Sequence, residues 1–140
     1  MGDRCYMRMR VHKDDAELFL KLVEDSWGLP TGLTVENFDG EHVEEEIDGG
    51  GTDDRYAMAK AGVRFEGFHM DGADYSAHRF FSDGKRLEEW SCDNDLDPSL
   101  FLDRPEGKPP RVLPEAATHL NSYLKEEWET IQAISKSWED

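Results

Sequence analysis

Two histidines, His69 and His78, stand on either side of an Asp71-Gly72 step within VRFEGFHMDGADYSAHRFF, residues 63–81. Imidazole changes charge near neutrality and can serve as acid, base or metal ligand. With Tyr75, Arg79 and Glu66 close in sequence, the pair could supply acid, base and anion clamp for phosphodiester hydrolysis, because a guanidinium grips phosphate through two parallel hydrogen bonds. With Asp71, Asp74 or Cys92 it could instead hold zinc or another divalent ion. The spacing matches no metal-ligand signature, and a hairpin centred on residues 71–74 would bring the two rings together for structural reasons alone. The expectation is no catalytic set, no metal and no cofactor, with His69, Tyr75, His78 and Arg79 as the alternative active-site reading.

Other spacings are exclusions. Asp93, Asp95 and Asp97 alternate like the opening of a calcium loop, but Pro98 replaces the required glycine and Arg104 the bidentate glutamate. Gly49-Gly50-Gly51 lacks the Gly-Lys-Ser/Thr that a phosphate-binding loop needs, and reads as a flexible connector. No Gly-x-Ser-x-Gly elbow is present, and neither Cys5 nor Cys92 has a catalytic context. Two cysteines make no disulfide framework; both read as core-facing thiols of a reducing cytoplasm.

Charge offers a different kind of site. The net charge is −16, and residues 14–54 alone hold fourteen acids against one base. Residues 1–13 carry four bases and one acid, whereas residues 55–92 balance at six and six. Such a surface repels a nucleic-acid backbone and an anionic membrane, and favours a protein partner with a basic surface. The plainer reading is an acidic coat that keeps the chain soluble. If Glu41 to Asp48 is a strand, Glu44 and Glu46 share one face about 6.6–6.8 Å apart, close to the spacing of neighbouring phosphates. Asp14, Asp15, Glu17, Glu41, Glu45, Asp48, Asp53 and Asp54 would extend that surface into a phosphate-like track.

The elements that must position these groups read as one domain over residues 1–140, long enough for a core without staples. Arg4 to His12 alternates strictly, with Cys5, Met7, Met9 and Val11 on one face of a half-buried strand. Asp14 is the expected cap of a helix, AELFLKLVEDSW, that places Phe19, Leu22, Val23 and Trp27 at helical spacing and stops at Gly28 and Pro30. Two strands are expected between Leu33 and Asp48, separated by Asp39-Gly40, with Val43, Glu45 and Ile47 on one side and Glu44 and Glu46 on the other. A short helix follows over residues 55–61, capped by Asp53-Asp54 and ended by Gly62. Two Asp-Gly turns, at 71–72 and 83–84, then divide three strands. Residues 93–113 hold four of the six prolines and read as a surface loop. Residues 114–138 form the clearest helix, with an apolar stripe through Ala117, Leu120, Leu124, Trp128 or its neighbour Glu127, Ile131, Ile134 and Trp138. The sum is an α+β fold: a mostly antiparallel sheet of five to six strands, with an N-terminal and a long C-terminal helix packed on one face. No run approaches the roughly 18 apolar residues of a membrane span, and MGDRCYMRMR lacks an apolar signal core, which implies a cytoplasmic protein.

RCYMRMRVHKDDAELFLKLVE, followed by RYAMAKAGVRFEGFHMDGADYSAHRFFSDGK, resembles small uncharacterised α+β proteins encoded by bacteria, phages and mobile elements. The matching positions are Tyr56-Ala57, Gly67-Phe68-His69, Gly72 with Asp74-Tyr75, and Asp83-Gly84; Arg55 and Ala73 depart from the pattern. The resemblance implies a phage or mobile-element context (a host cytoplasm) and no activity. Three functions are expected from these readings. The first is a non-enzymatic acidic protein that inhibits a host nucleic-acid-handling defence complex by presenting a phosphate-like surface. The second is a small enzyme or ligand-binding domain on the His69/His78 hairpin. The third is an accessory module that homodimerises through a sheet edge or Trp138.

Overall fold

A computed structural model describes residues 4–27, 34–48, 52–72, 75–92, 102–103, 105–112 and 114–139. The fold is α+β. Strands β1 (Arg4–Val11), β2 (Glu41–Asp48), β3 (Arg64–His69), β4 (His78–Asp83) and β5 (Leu87–Ser91) form an antiparallel sheet in the order β2-β1-β3-β4-β5. Helices α1 (Ala16–Trp27), α2 (Thr52–Lys60) and α3 (Pro114–Ser137) surround it. Within the expected surface loop, two-residue strands β6 (Leu102–Asp103) and β7 (Arg111–Val112) pair as a separate small hairpin.

The alternation of β1 decides the layering. Cys5, Met7, Met9 and Val11 are buried, and with Phe65 and Phe80 they meet Ala16, Phe19, Leu20 and Val23 of α1 and Met58 and Ala59 of α2. Helix α3 packs on the opposite face: Glu127 pairs with Arg79, and Ser135 accepts from Arg10. The expectation of helices on one face is therefore corrected to helices on both, because α3 brings its own buried side chains to the second face. The stripe of α3 runs through the buried Glu127 and Ile134 and not through Trp128, which is 63% exposed. Trp138 closes the end, meeting Phe38 edge-on at 6.0 Å and donating its Nε1–H to the Val11 carbonyl at 2.8 Å. It is thus engaged within the chain.

Two local expectations fail for identifiable reasons. Asp14 lies within a short 3-10 turn over Lys13–Asp15 that precedes α1, and His12 caps this turn, its Nδ1 accepting from the Asp14 N–H at 3.1 Å. The first of the two strands expected over 33–48 is replaced by a turn at residues 35–37, where Asn37 Oδ1 accepts from the Thr34 N–H at 2.6 Å. A side chain that bonds its own backbone in this way competes with a strand ladder. Gly49-Gly50-Gly51 lies outside the described residues.

Candidate functional site

Three groups of side chains compete for the role of site: the β3–β4 histidines, the acidic β2 edge and the charges beneath α3.

The histidines do meet. His69 and His78 are directly paired across β3 and β4, and their rings stack at 5.2 Å. Tyr75 lies edge-on to His69 at 5.5 Å. The intervening turn is not the tight Asp-Gly hairpin expected: the register leaves residues 70–77 between the paired histidines. Asp83-Gly84 is a tight turn, with Gly84 at φ +91° and Asp83 Oδ1 accepting from the N–H groups of Lys85 and Arg86 at 2.9 and 3.1 Å. His69 donates its Nδ1–H to the Met70 carbonyl at 2.9 Å. Burial holds the His69 imidazole below its ordinary range, and the positive charge of Arg55 adds to this while the Met70 bond opposes it. A neutral buried imidazole of this kind is a scaffold hydrogen-bond donor.

Arg79 is not part of that group. Adjacent residues of a strand point to opposite faces, so His78 faces α2 whereas Arg79 faces α3 and pairs with Glu127 at 2.5 Å. Glu66 goes with Arg79 to the second face. The arginine that does stand on the histidine face is Arg55 of α2, wholly buried, with Nε and Nη2 on Glu89 Oε1 at 2.9 and 2.6 Å and the guanidinium 4.2 Å from the Phe80 ring centre. Arg55, Met58 and Ala59 sit at helical i, i+3, i+4 spacing, so the sequence carried a signal for its burial. Asp74 lies outside the described residues, as do Asp93, Asp95, Asp97 and Arg104. Among the described residues no three His, Cys, Asp or Glu side chains gather where a metal could be held. Cys5 and Cys92 are both buried.

The acidic set divides. Asp15 is tied to Arg64, accepting from its backbone N–H at 2.9 Å and its Nε at 2.7 Å, and these bonds outweigh burial to hold its carboxyl below the usual range. Glu41 pairs with Arg8 across β1 and β2. Glu44 is partly buried, 3.2 Å from His42 Nε2, and burial raises its carboxyl above the usual range. Asp14, Glu17, Glu45 and Glu46 are exposed, whereas Asp54 is half-buried. Asp48 ends β2, and Asp53 lies in the first turn of α2.

The expected parity of β2 is corrected. A bulge sets Cys5 opposite Ile47 but Met7 opposite Glu44, so Glu45 and Glu46 together oppose Tyr6. One extra residue reverses the facing of everything on one side of it. Ile47 therefore stays buried while Val43, four residues earlier, is 44% exposed, and His42 takes the inward place against Phe19. The regular Glu44–Glu46 carboxylate spacing does not form.

The third group is ionic and partly open to solvent. Arg8, Arg10, Glu66 and Arg79, with Gly67 and Phe68, line a cup of about 230 Å³. Its arginines are balanced by Glu41, Glu66 and Glu127. Burial drives Glu127 up to about 7 despite Arg79, with Glu66 adding to the effect. Neither composition nor spacing announces this network, because its members come from β1, β2, β3, β4 and α3.

No family model matches this chain, and no curated protein or solved structure is significantly similar to it. No described helix is long and apolar enough to cross a membrane.

Proposed function

We propose that this protein binds and inhibits a protein with a basic surface, using the acidic β2 edge and the outward side of α1. The observation that supports this is the sorting of the acids. Asp15 and Glu41 are bound closely to arginines of the same fold, while Asp14 and Glu46 reach an arginine only at 3.9 Å and stay exposed, as do Glu17 and Glu45. Exposed Val43 sits among them on a strand at the margin of the sheet. An edge strand offers backbone hydrogen-bonding groups to a partner strand, and carboxylates around it repel acidic edges and attract basic ones. The bulge removes an evenly spaced phosphate track, so recognition rests on the charged edge as a whole. The turn pattern resembling phage and mobile-element proteins suggests a nucleic-acid-handling defence complex of the host as the target class.

The test is capture from host lysate by the full chain at low and high ionic strength. The captured protein should be basic and should be released by salt. Glu17→Lys, Glu45→Lys and Glu46→Lys together should abolish capture, each changing stability by no more than about 0.5 kcal/mol. Reversal of the exposed Glu106, Glu129 and Glu139 should leave capture intact. Capture that survives the first triple reversal sinks the proposal.

A further inference from the structure

The opposite margin of the sheet carries a second site, independent of the acidic edge. A groove of about 570 Å³ runs along β5 between Tyr56 of α2 and His119, Leu120 and Tyr123 of α3. That volume lies within the range of small-molecule pockets. His78 and Ser91 both line it. They are directly paired across β4 and β5, with Ser91 Oγ 3.3 Å from His78 Nε2. The other ring nitrogen, Nδ1, lies 2.8 Å from the Ser76 carbonyl, which can only accept. In the neutral ring this fixes the proton on Nδ1 and leaves Nε2 as the acceptor for the Ser91 hydroxyl proton. Ser76 Oγ, 3.3 Å from Ser91 Oγ, offers a further hydrogen bond to the same oxygen. A nucleophile within reach of a base, and the base oriented by a third group, is the arrangement that activates serine.

We infer that Ser91 and His78 form a nucleophile–base pair that transfers the acyl group of small, uncharged aryl esters to water. The walls define the substrate class. Tyr56, Tyr123 and His119 offer rings for a flat leaving group, while Glu88 and Glu89 at the groove are already paired with Arg86 and Arg55 and leave no free cation among the described residues there to hold an anionic one. The indole of Trp90, also lining the groove, has no hydrogen-bond partner among the described residues for its Nε1–H. In the first step Ser91 Oγ bonds to the ester carbonyl carbon as its proton passes to His78 Nε2. The bond from that carbon to the leaving oxygen then breaks, and His78 returns the proton to the departing phenol. Water, deprotonated by His78, attacks the acyl-serine and releases the carboxylic acid and free Ser91. The Cys92 N–H bonds the Ala77 carbonyl at 2.9 Å. By ladder alternation the Ser91 N–H therefore points away from β4, where it can stabilise the oxyanion.

The experiment incubates the full chain with 4-nitrophenyl acetate and follows phenolate release together with the mass of the Ser91 peptide. An initial burst and one acetyl group on Ser91 are expected. Ser91→Ala should remove both, and His78→Gln should slow acylation by about 100-fold or more, with unfolding temperature measured for each variant. Labelling of the unaltered protein by a fluorophosphonate is a second readout that needs no variant, and should also fall on Ser91. Ser91 left unmodified by both reagents, or a release rate unchanged in a folded Ser91→Ala, overturns the inference.

Discussion

On the face toward α1 and α2, Met7, Met9, Phe65 and Phe80 meet Phe19, Val23 and Met58; on the face toward α3, Arg10, Glu66, Arg79 and Glu127 meet one another. One sheet thus joins a mainly apolar face, into which the Arg55–Glu89 pair is set, to a mixed face where these charges lie beside the buried Phe81, Trp90 and Ile134. The apolar and ionic contacts are forces of different character. Apolar burial is strong and non-directional, set by area and fit. A buried ion pair gains little net free energy after desolvation, but it is costly to break on one side only. We therefore assign stability mainly to the first face, and the placement of α3 to the second.

The largest effect should come from the apolar face. Phe65→Ala, at a fully buried position, should cost about 3–5 kcal/mol in denaturant unfolding. A loss below about 1 kcal/mol would break the division between the faces. Next comes Arg79→Met, which leaves Glu127 buried without its partner and should cost about 3 kcal/mol. Combining it with Glu127→Leu should recover most of that loss. A double variant no better than the single one would show that the pair contributes net stability.

The smallest effect sharpens the comparison through pH. Glu127 rises from an ordinary 4.5 to about 7. The folded state then holds a proton that the unfolded chain loses earlier, so this contribution is full below 4.5 and fades as pH rises through about 7. His42, on the apolar face, is lowered by burial from an ordinary 6.5 to about 4. Its contribution is full above 6.5 and fades as pH falls through about 4. The two faces pull in opposite directions between these limits. Thermal unfolding of Glu127→Gln between pH 5 and 8 should therefore show stability rising with pH more steeply than in the parent. An unchanged profile would remove Glu127 from the account.

Legibility in the sequence followed the strength of local patterns. The alternation of β1 and the helical spacing of α1 are repeated signals, and both elements formed where expected. The parity rule that placed Met7 and Met9 also separates His78 from Arg79, so the division of the alternative active site was legible from adjacency alone. The bulge in β2 was not, because it depends on which residues β1 presents. Helix α3 was legible, but the choice between Glu127 and Trp128 as its inward residue required an arginine from another strand. Ser91 lay just outside the stretch of histidines that drew attention, and only the β4–β5 register brings it to His78.

The sequence by itself determined the α+β class, the apolar face of β1, the two terminal helices and the concentration of acid between residues 14 and 54. These follow from local periodicity and composition, which need no knowledge of distant contacts. The tertiary structure decided which acids stay in solvent, which face each helix covers, and which serine meets which histidine. Those outcomes depend on strand order and register, where burial and pairing between remote residues outweigh any local preference.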